Sequence, residues 1–190
     1  MSSFRKPFIK DETRYTYTDY CTWEDDDRWE LIDGVPYLMA APNISHQSIS
    51  GNIFLSIGNF LRGKKCKILY APTDVRLNAD TKDNTVVQPD LLVVCDKSKL
   101  DGKSVVGAPD MVVEILSPSS ASHDMIRKYN LYMKTGVREY WIVDPVLETV
   151  LVNILKDGAY TRKDYEKTDT VQVGVLEGCE VVLSEVFEEE

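Results

Sequence analysis

The middle of the chain is dominated by short segments in which Val, Ile and Leu follow one another with little polar alternation. Residues 68–77, 85–95 and 110–116 have this composition. A strand with one solvated face alternates apolar and polar residues, whereas a strand covered on both faces is apolar throughout. These segments therefore predict central strands of a sheet that is covered on both faces.

Two amphipathic segments and a further apolar segment surround these strands. Residues 45–61 have apolar side chains at helical spacing, and residues 122–134 predict a second helix that ends near Gly136. Residues 139–143 form another apolar strand segment. The order of helix, strands, helix and strand predicts a mixed α/β fold, in which a mixed sheet is flanked by helices.

Shorter elements are predicted towards both ends of the chain. They are a helix over residues 19–26 capped by Thr18, a hairpin that turns at Asp33-Gly34, a peripheral hairpin of residues 149–155 and 160–162, and a short carboxy-terminal segment. We expect residues 1–190 to form a single domain, with an irregular amino-terminal arm over residues 1–17 and an acidic tail over residues 188–190.

The length of 190 residues and the hydrophobic content of 43% fit one globular domain with a sizeable core. That hydrophobic content excludes a disordered chain. No apolar run approaches the roughly 20 residues that a membrane-spanning helix requires. No apolar stretch follows the basic residues near the amino terminus, so we expect no secretory signal and a cytoplasmic protein.

The cysteines lie singly along the chain, at Cys21, Cys66, Cys95 and Cys179. No two of them have the C-x-x-C spacing of a zinc site, and a domain of this size does not need a disulfide. We interpret all four as reduced thiols. Because the chain has only two histidines, a His-rich metal site is excluded, and any metal has to be bound by oxygen.

The formal net charge of −9 argues, as a sum, against a nucleic-acid partner. The excess lies near the ends: residues 11–33 contain nine acids against two arginines, and residues 180–190 contain five glutamates and no base. Residues 34–179 contain 17 acids and 17 bases. The net charge therefore does not exclude nucleic acid, but we expect poor DNA binding in the absence of a metal ion.

Two acids lie in the apolar strand segments. Asp90 precedes the run Leu-Leu-Val-Val, and Glu114 has apolar neighbours on both sides. A buried and unpaired carboxylate costs several kcal/mol, so each of these acids predicts a partner. Two carboxylates on adjacent strands, with a backbone carbonyl beside them, form an oxygen site suited to Mg²⁺ or Mn²⁺.

The predicted helix that follows provides a candidate base. Asp124, Lys128 and Tyr132 are four residues apart and share one helical face. A lysine that faces a carboxylate pair could orient or deprotonate an attacking water. In the alternative interpretation, Glu114 forms a structural ion pair with Lys128 or Arg127 and Asp90 caps a turn. The spacing alone does not decide between the two interpretations.

Five segments of the chain together carry a family resemblance. They are, in order, WELIDGVPYLMAAPNISHQ (29–47), LYAPTDVRLN (69–78), VVQPD (86–90), VVEILSPSS (112–120) and HDMIRKYNLYMKTGVREYWIVDP (123–145). In this order they resemble the Uma-two family of restriction endonucleases, which is a branch of the PD-(D/E)XK nuclease superfamily. No single motif is specific, whereas their order and spacing together are, and the resemblance spans nearly the whole chain.

This resemblance implies a restriction-endonuclease-like core with a central mixed four-stranded sheet, and metal-dependent hydrolysis of phosphodiester bonds. Pro89-Asp90 matches the PD element and Glu114 matches the acid of the second element. Both are expected to bind Mg²⁺ or Mn²⁺, with the backbone carbonyl of Ile115 as a further ligand. Leu116 stands where the superfamily ordinarily has its lysine, and Lys128 on the next helix is expected to take that role.

Two further residues match positions of the family. Glu30 matches an acidic position and is expected to complete the site; an exposed acid on a hairpin is the alternative. His46 matches a recurring position at the start of the long helix, where a histidine without a functional role is also common. Lys128 is expected to position the attacking water and to stabilise the negative charge of the transition state.

Other charged or polar residues are interpreted as structural. Asp110 is expected to cap a strand edge rather than to serve as the PD acid, Asp124 is a first-turn acid favoured by the helix dipole, and Tyr132 fits packing as well as catalysis. The basic residues at the end of the long helix are expected to be solvated; they are Arg62, Lys64, Lys65 and Lys67.

The sequence thus predicts an Mg²⁺-dependent endonuclease that acts on nucleic acid, DNA in preference to RNA, with no membrane partner. The alternative is a nuclease-fold protein that no longer cleaves and serves as a nucleic-acid or protein interaction module. The presence of Asp90, Glu114 and Lys128 favours activity, and their convergence in one cleft would distinguish the two. A homodimer is expected by analogy with nucleases that pair to cut both strands.

Overall fold

A six-stranded mixed sheet lies at the centre of the computed structural model, which describes residues 13–24, 27–117 and 123–188. In chain order the strands are β1 (Trp29–Ile32), β2 (Val35–Leu38), β3 (Lys67–Tyr70), β4 (Val75–Arg76), β5 (Val86–Val87), β6 (Leu91–Val94), β7 (Val105–Val106), β8 (Met111–Ile115), β9 (Glu139–Asp144), β10 (Thr149–Lys156), β11 (Ala159–Glu166), β12 (Thr170–Gln172) and β13 (Glu180–Val182). The helices are α1 (Tyr17–Tyr20), α2 (Ile44–Leu61), α3 (His123–Thr135) and α4 (Leu183–Val186), and a 3₁₀ turn spans Lys97–Lys99.

The strands of the central sheet follow the order β11-β10-β9-β8-β6-β3. Neighbours are antiparallel except β8 and β9, which are parallel and are connected through α3. The predicted mixed sheet flanked by helices is confirmed. The predicted hairpin of β10 and β11 extends this sheet at one edge, so the sheet has six strands where the predicted core has four.

A second sheet has the strand order β2-β1-β5-β4-β7. Segments 68–77 and 85–95 were each predicted as one strand region. In the structure each segment contains two strands, one in the central sheet (β3 or β6) and one in the second sheet (β4 or β5). The chain leaves one sheet for the other between β3 and β4, and again between β5 and β6, where Pro72 and Pro89 lie. Because proline cannot donate to a strand ladder, it suits these points of transfer.

Helices α2 and α3 cover opposite faces of the central sheet. Ile53 of α2 belongs to the same buried cluster as Val113 of β8, whereas Tyr132 of α3 belongs to a second cluster with Val112. Since side chains alternate along a strand, Glu114 shares the face of Val112 and points towards α3. No helix within the three described stretches combines the length and apolar character needed to cross a membrane.

Both long helices are present close to their predicted bounds. Helix α2 begins at Ile44, one residue before the prediction, because Asn43 caps it: the Asn43 side-chain oxygen accepts the backbone N–H of His46 at 2.8 Å. Helix α3 ends at Thr135. Gly136 follows it with φ of +91°, and its N–H bonds to the Tyr132 carbonyl at 3.1 Å.

The short amino-terminal helix differs from its prediction. Helix α1 spans four residues and is capped by Thr16 rather than Thr18, because Thr16 and Asp19 form a reciprocal capping box. The other predicted features of the ends are only partly within the described residues. Residues 1–12 of the predicted arm, Asp25 and Asp26 of the predicted helix, and residues 189–190 of the tail lie outside them.

The hairpin of β1 and β2 turns at Asp33-Gly34, as predicted. Both residues have positive φ, +50° and +78°, as the mirror-image turns favoured in hairpins require. A Cβ at position 34 would also lie 2.9 Å from the Cβ of Arg14, so the close packing of the preceding segment requires glycine there. The resulting register places Glu30 opposite Tyr37.

The interpretation of all four cysteines as reduced thiols is wrong for two of them. Cys66 and Cys95 form a disulfide, whereas Cys21 and Cys179 are free. The antiparallel register pairs Lys67 of β3 with Val94 of β6, so the two cysteines that flank this pair come together. The bridged residues are 29 apart in sequence, and a search for short cysteine spacings does not detect such a pair.

Candidate active site

The two predicted metal ligands are neighbours on adjacent strands. Leu91 pairs with Val113 in the antiparallel register of β6 and β8. The next facing positions of the two strands are therefore Asp90 and Glu114. The carboxylate of Asp90 accepts the backbone N–H of Ile115 at 2.8 Å. This bond fixes Asp90 against the strand that carries Glu114, beside the residue whose carbonyl is the third predicted ligand.

Lys128 reaches this pair from α3. Its Nζ lies 2.9 Å from Oε1 of Glu114 and 2.9 Å from Oε1 of Glu30, and its side chain is only 12% exposed. The hydroxyl of Tyr132, one helical turn further on, donates to the same oxygen of Glu114 at 2.7 Å. Lys128 therefore points into the cleft and not to solvent. Both the catalytic and the structural interpretation predict an ion pair between Lys128 and Glu114, so this pair does not distinguish between them.

Glu30 is buried rather than exposed. It comes from β1 in the second sheet, and its Oε1 also accepts the backbone N–H of Gln88 at 2.9 Å. The side-chain oxygen of Gln88 in turn accepts two hydrogen bonds from the guanidinium of Arg28, at 3.0 and 3.1 Å. Gln88 lies where the chain passes from the second sheet to the central sheet, just before Asp90. Its backbone N–H therefore positions Glu30 as well.

His46, in the first turn of α2, contacts the site from the opposite side. Its Nε2 lies 3.2 Å from Oδ2 of Asp90, whereas its Nδ1 is buried without a hydrogen-bond partner among the described residues. Burial opposes protonation of the imidazole, but Asp90, Glu114 and the Ile115 carbonyl outweigh it and raise the pKa of His46 above its ordinary value. The structure therefore brings all five predicted site residues together.

The electrostatics of the site follow from burial and close charges. Burial raises the pKa of Glu114 to about 7; Lys128 opposes this shift, and Asp90 and Glu30 add to it. Burial acts to lower the pKa of Lys128, but the two glutamates outweigh it, and this pKa is raised above its ordinary value. Lys128 is therefore a permanent cation and a hydrogen-bond donor, not a general base at neutral pH.

These side chains line a cleft of about 260 Å³. One wall is polar and charged, and the other is formed by apolar side chains of β2 and of the loop that leads to α2. Two arginines also line it: Arg28, which was not predicted, and Arg127, which the sequence offered only as a structural partner of Glu114. The guanidinium of Arg127 lies 4.3 Å from the ring centre of Tyr37. Arg28 lies two residues before Glu30. In an extended strand residues at this spacing share one face, so the sequence could have indicated Arg28 as a further lining residue.

The donor set suits a hard divalent cation. Within the described parts of the chain, no group of three or more His, Cys, Asp or Glu side chains is arranged to hold a metal ion. Mg²⁺, however, is commonly bound through one or two carboxylates, with water completing its shell. Asp90 and Glu114 supply two carboxylates at one place, and Nε2 of His46 lies 3.2 Å from one oxygen of Asp90.

Other candidates lie elsewhere in the fold. Asp110 accepts the backbone N–H of Cys95 at 2.6 Å and pairs with Arg138, at the opposite end of β8 from Glu114, as expected for a strand-edge cap. The basic residues after α2 do not line the cleft, and Lys64 lies over the ring of Phe60. The side chain of Asp124 and residues 118–120 of the fourth similar segment are outside the described structure.

Known proteins resemble the chain in sequence and in fold. Residues 16–184 match the sequence profile of the Uma2 family, described as "Putative restriction endonuclease". The "Uncharacterized protein slr1290" of Synechocystis sp. (strain ATCC 27184 / PCC 6803 / Kazusa) is 28% identical over 159 residues, 82% of each chain. The crystal structure of "a putative nuclease belonging to DUF820" from Anabaena variabilis ATCC 29413 has a TM-score of 0.74 and 18% identity, and the likeness covers 91% of this chain and 97% of that one. At this identity the likeness establishes the fold.

Proposed function

The chain belongs to the Uma2 family of "Putative restriction endonuclease" proteins, and on this premise we propose that it is a metal-dependent endonuclease that hydrolyses phosphodiester bonds of DNA. We assign the reaction to Asp90, Glu114 and Lys128, with Glu30 and His46 completing the site. A nuclease-like family and fold support the reaction class. The substrate, the metal and the residue roles are part of the proposal.

One observation carries this assignment. The Nζ of Lys128 lies 2.9 Å from both Glu30 and Glu114, in a cleft that Asp90 also lines. These residues come from two sheets and a helix, and they span 98 positions of the chain. A structural ion pair of Lys128 would not require the further carboxylate of Asp90, which faces Glu114 across the strand ladder. The concentration of charge in an open cleft supports a site that binds and reacts.

Asp90 and Glu114 would hold Mg²⁺ or Mn²⁺, with the carbonyl of Ile115 as a further ligand. When bound, the cation supplies Lewis-acid chemistry: it polarises a phosphoryl oxygen and lowers the pKa of a water molecule. Glu30 is held by the backbone of Gln88 and remains the counter-charge of Lys128. In this arrangement the chain itself provides the carboxylates in fixed positions before the substrate arrives.

Lys128 acts as the electrostatic element of the reaction. Its ammonium stays protonated between two carboxylates and donates one N–H to each, so its third N–H would be donated to the attacking water or to a phosphoryl oxygen that gains charge. Tyr132 donates to Glu114 and orients that carboxylate. His46 does the same for Asp90 from the other side. These two side chains position the acids, and Lys128 contacts the reacting groups.

The test is cleavage of supercoiled plasmid and of circular single-stranded DNA with Mg²⁺, with Mn²⁺ and with EDTA. We expect cleavage with a divalent ion and none with EDTA. Asp90→Asn and Glu114→Gln should each reduce the rate by at least about 100-fold, since each removes a charged ligand without changing size. Glu177→Gln, at an exposed acid remote from the cleft, is the matched control and should cleave normally.

Cleavage that persists in both site variants at the wild-type rate would refute the assignment of the residues. Metal-independent DNA binding with no cleavage under any condition would instead favour the interaction module. The homodimer remains a prediction, and sedimentation velocity with and without a duplex oligonucleotide measures it directly.

A further inference from the structure

A second cavity adjoins the active-site cleft. Its volume is about 340 Å³. Four residues line both spaces: Arg28, Pro42, His46 and Asp90. The His46–Asp90 contact therefore borders both spaces. A ligand strand that occupies the cleft at Asp90 can continue directly into this cavity.

One wall of the second cavity is a single face of α2. Gln47, Ser50, Gly51 and Phe54 line it, at the spacing i, i+3, i+4 and i+7 of neighbouring helical positions. A Cβ added at Gly51 would meet nothing within 4 Å, so the space beside this residue is open. This wall therefore has a polar part near the active site, an open centre, and an aromatic part at its far end.

An exposed aromatic ring also lines this cavity. Tyr70, at the end of β3, is 61% exposed, although large aromatic side chains in this fold are otherwise mostly buried or half-buried. Its ring packs edge-on against Phe54, with the ring centres 5.1 Å apart and the planes at 90°. In a perpendicular contact of two rings Phe54 can cover at most one face of Tyr70, so the other face of the Tyr70 ring is not covered by Phe54.

Hydrogen bonds connect the backbone around Tyr70 to the active site. The N–H of Ala71 donates to the carbonyl of Asp90 at 3.1 Å, and the hydroxyl of Thr73 donates to the carbonyl of Tyr70 at 2.7 Å. Tyr70 itself pairs with Leu91, the residue after Asp90. Tyr70 therefore lies on the strand next to Asp90, a proposed metal ligand, and is offset from it by one residue.

We propose that this cavity is a nucleobase-binding site, in which Tyr70 stacks on an unstacked base of the nucleotide next to the scissile phosphate. Every base has a face that stacks on an aromatic ring, and the amide of Gln47 can both donate to and accept from a base edge. A base inside a duplex cannot reach a ring in a cavity, so this site selects strands that are single or locally opened. The position beside the scissile phosphate rests on the proposed nuclease function, whereas base binding does not.

Binding of a labelled single-stranded oligonucleotide, followed by fluorescence anisotropy with Ca²⁺ in place of Mg²⁺, tests this site. A blunt hairpin duplex of the same sequence is the comparison. Tyr70→Ala should weaken single-strand binding by roughly 5- to 150-fold, the range found when an aromatic platform is lost, and should leave duplex binding unchanged. Tyr70→Phe keeps the ring and should keep the affinity.

Gly51→Leu fills the cavity and replaces a helical glycine by a better helix former, so it should fold and still weaken single-strand binding. Leu55→Ala, at an exposed position of the same helix that does not line the cavity, is its control. Equal single-strand affinity of wild type, Tyr70→Ala and Gly51→Leu would overturn the inference. If base binding depends on Tyr70 but no metal supports cleavage, the nuclease proposal fails and the base site stands.

Discussion

Lys128 is a buried cation between two carboxylates that are themselves mostly buried. Its removal leaves those charges without a partner, which typically costs about 3–5 kcal/mol. We therefore predict that Lys128→Met lowers the free energy of unfolding by about that amount at pH 8. Urea denaturation followed by tryptophan fluorescence measures it. Lys134→Met, in the last turn of the same helix, is the matched control and should change stability by less than about 0.5 kcal/mol.

The Lys128→Met defect should also depend on pH. Burial already raises the pKa of Glu114 in the folded protein to about 7, and loss of the lysine removes the charge that opposes this shift. An acid whose folded pKa is raised stabilises the fold below its unfolded pKa and loses that contribution as the pH rises towards the folded value. The variant should therefore be closer to wild type at pH 5 than at pH 8. A pH-independent difference would contradict this account.

Glu139 provides a second test at the scale of one side chain. It is fully buried, and its two oxygens accept hydrogen bonds from the indole of Trp141 at 2.7 Å and from the N–H of Val175 at 2.8 Å. A glutamine has one acceptor oxygen, so one donor would face an amide N–H. Glu139→Gln should cost about 1–3 kcal/mol in urea denaturation. A variant as stable as Glu177→Gln, which changes an exposed acid, would show that neither bond matters.

Side-chain spacing predicted part of the site and could not predict the rest. The helical face of Lys128 and Tyr132, and the burial of Glu114, are local properties, and the structure brings these three together. The contacts of Gln88 with Glu30 and with Arg28 join residues about sixty positions apart. Such contacts depend on how the second sheet docks, and a single sequence contains no local pattern for them.

At the scale of elements, the disulfide joins the outermost strand β3 to β6. A bridge that closes a loop of this length typically contributes about 2–4 kcal/mol by restricting the unfolded chain. We predict that Cys66→Ser/Cys95→Ser lowers the melting temperature and that a reductant lowers the wild-type value to match. Cys21→Ser, at an exposed free cysteine, should behave as wild type. Insensitivity of the wild type to reductant would contradict the prediction.

Amphipathic helices and the β1–β2 hairpin were predictable because their signals are local: apolar spacing, a cap, and Asp-Gly at a turn. The strands of segments 68–77 and 85–95 were predicted as strand regions, but their division between two sheets was not. An apolar run has the same pattern whether it belongs to one sheet or to two. Pro72 and Pro89 mark the points of division, and the structure explains their positions.

At the scale of the whole molecule, the net charge of −9 opposes a polyanion, and the carboxylates of the cleft add to that opposition. A bound divalent ion reverses the local sign. We predict that DNA affinity, measured by anisotropy, is at least about tenfold higher with Ca²⁺ than with EDTA at the same ionic strength. The double variant Asp90→Asn/Glu114→Gln should lose this dependence. A dependence that survives in the double variant would place the ion elsewhere.

The chain passes from one sheet to the other immediately before Asp90, and Lys128 contacts Glu30 over a separation of 98 residues. Contacts between distant parts of a chain form slowly, because the entropy lost in closing the loop between them opposes their formation. We therefore expect the charged cluster to assemble only when the two sheets have docked. In a partly folded copy, in which the sheets have not docked, Glu30 would not reach Lys128 and the proposed site would be incomplete.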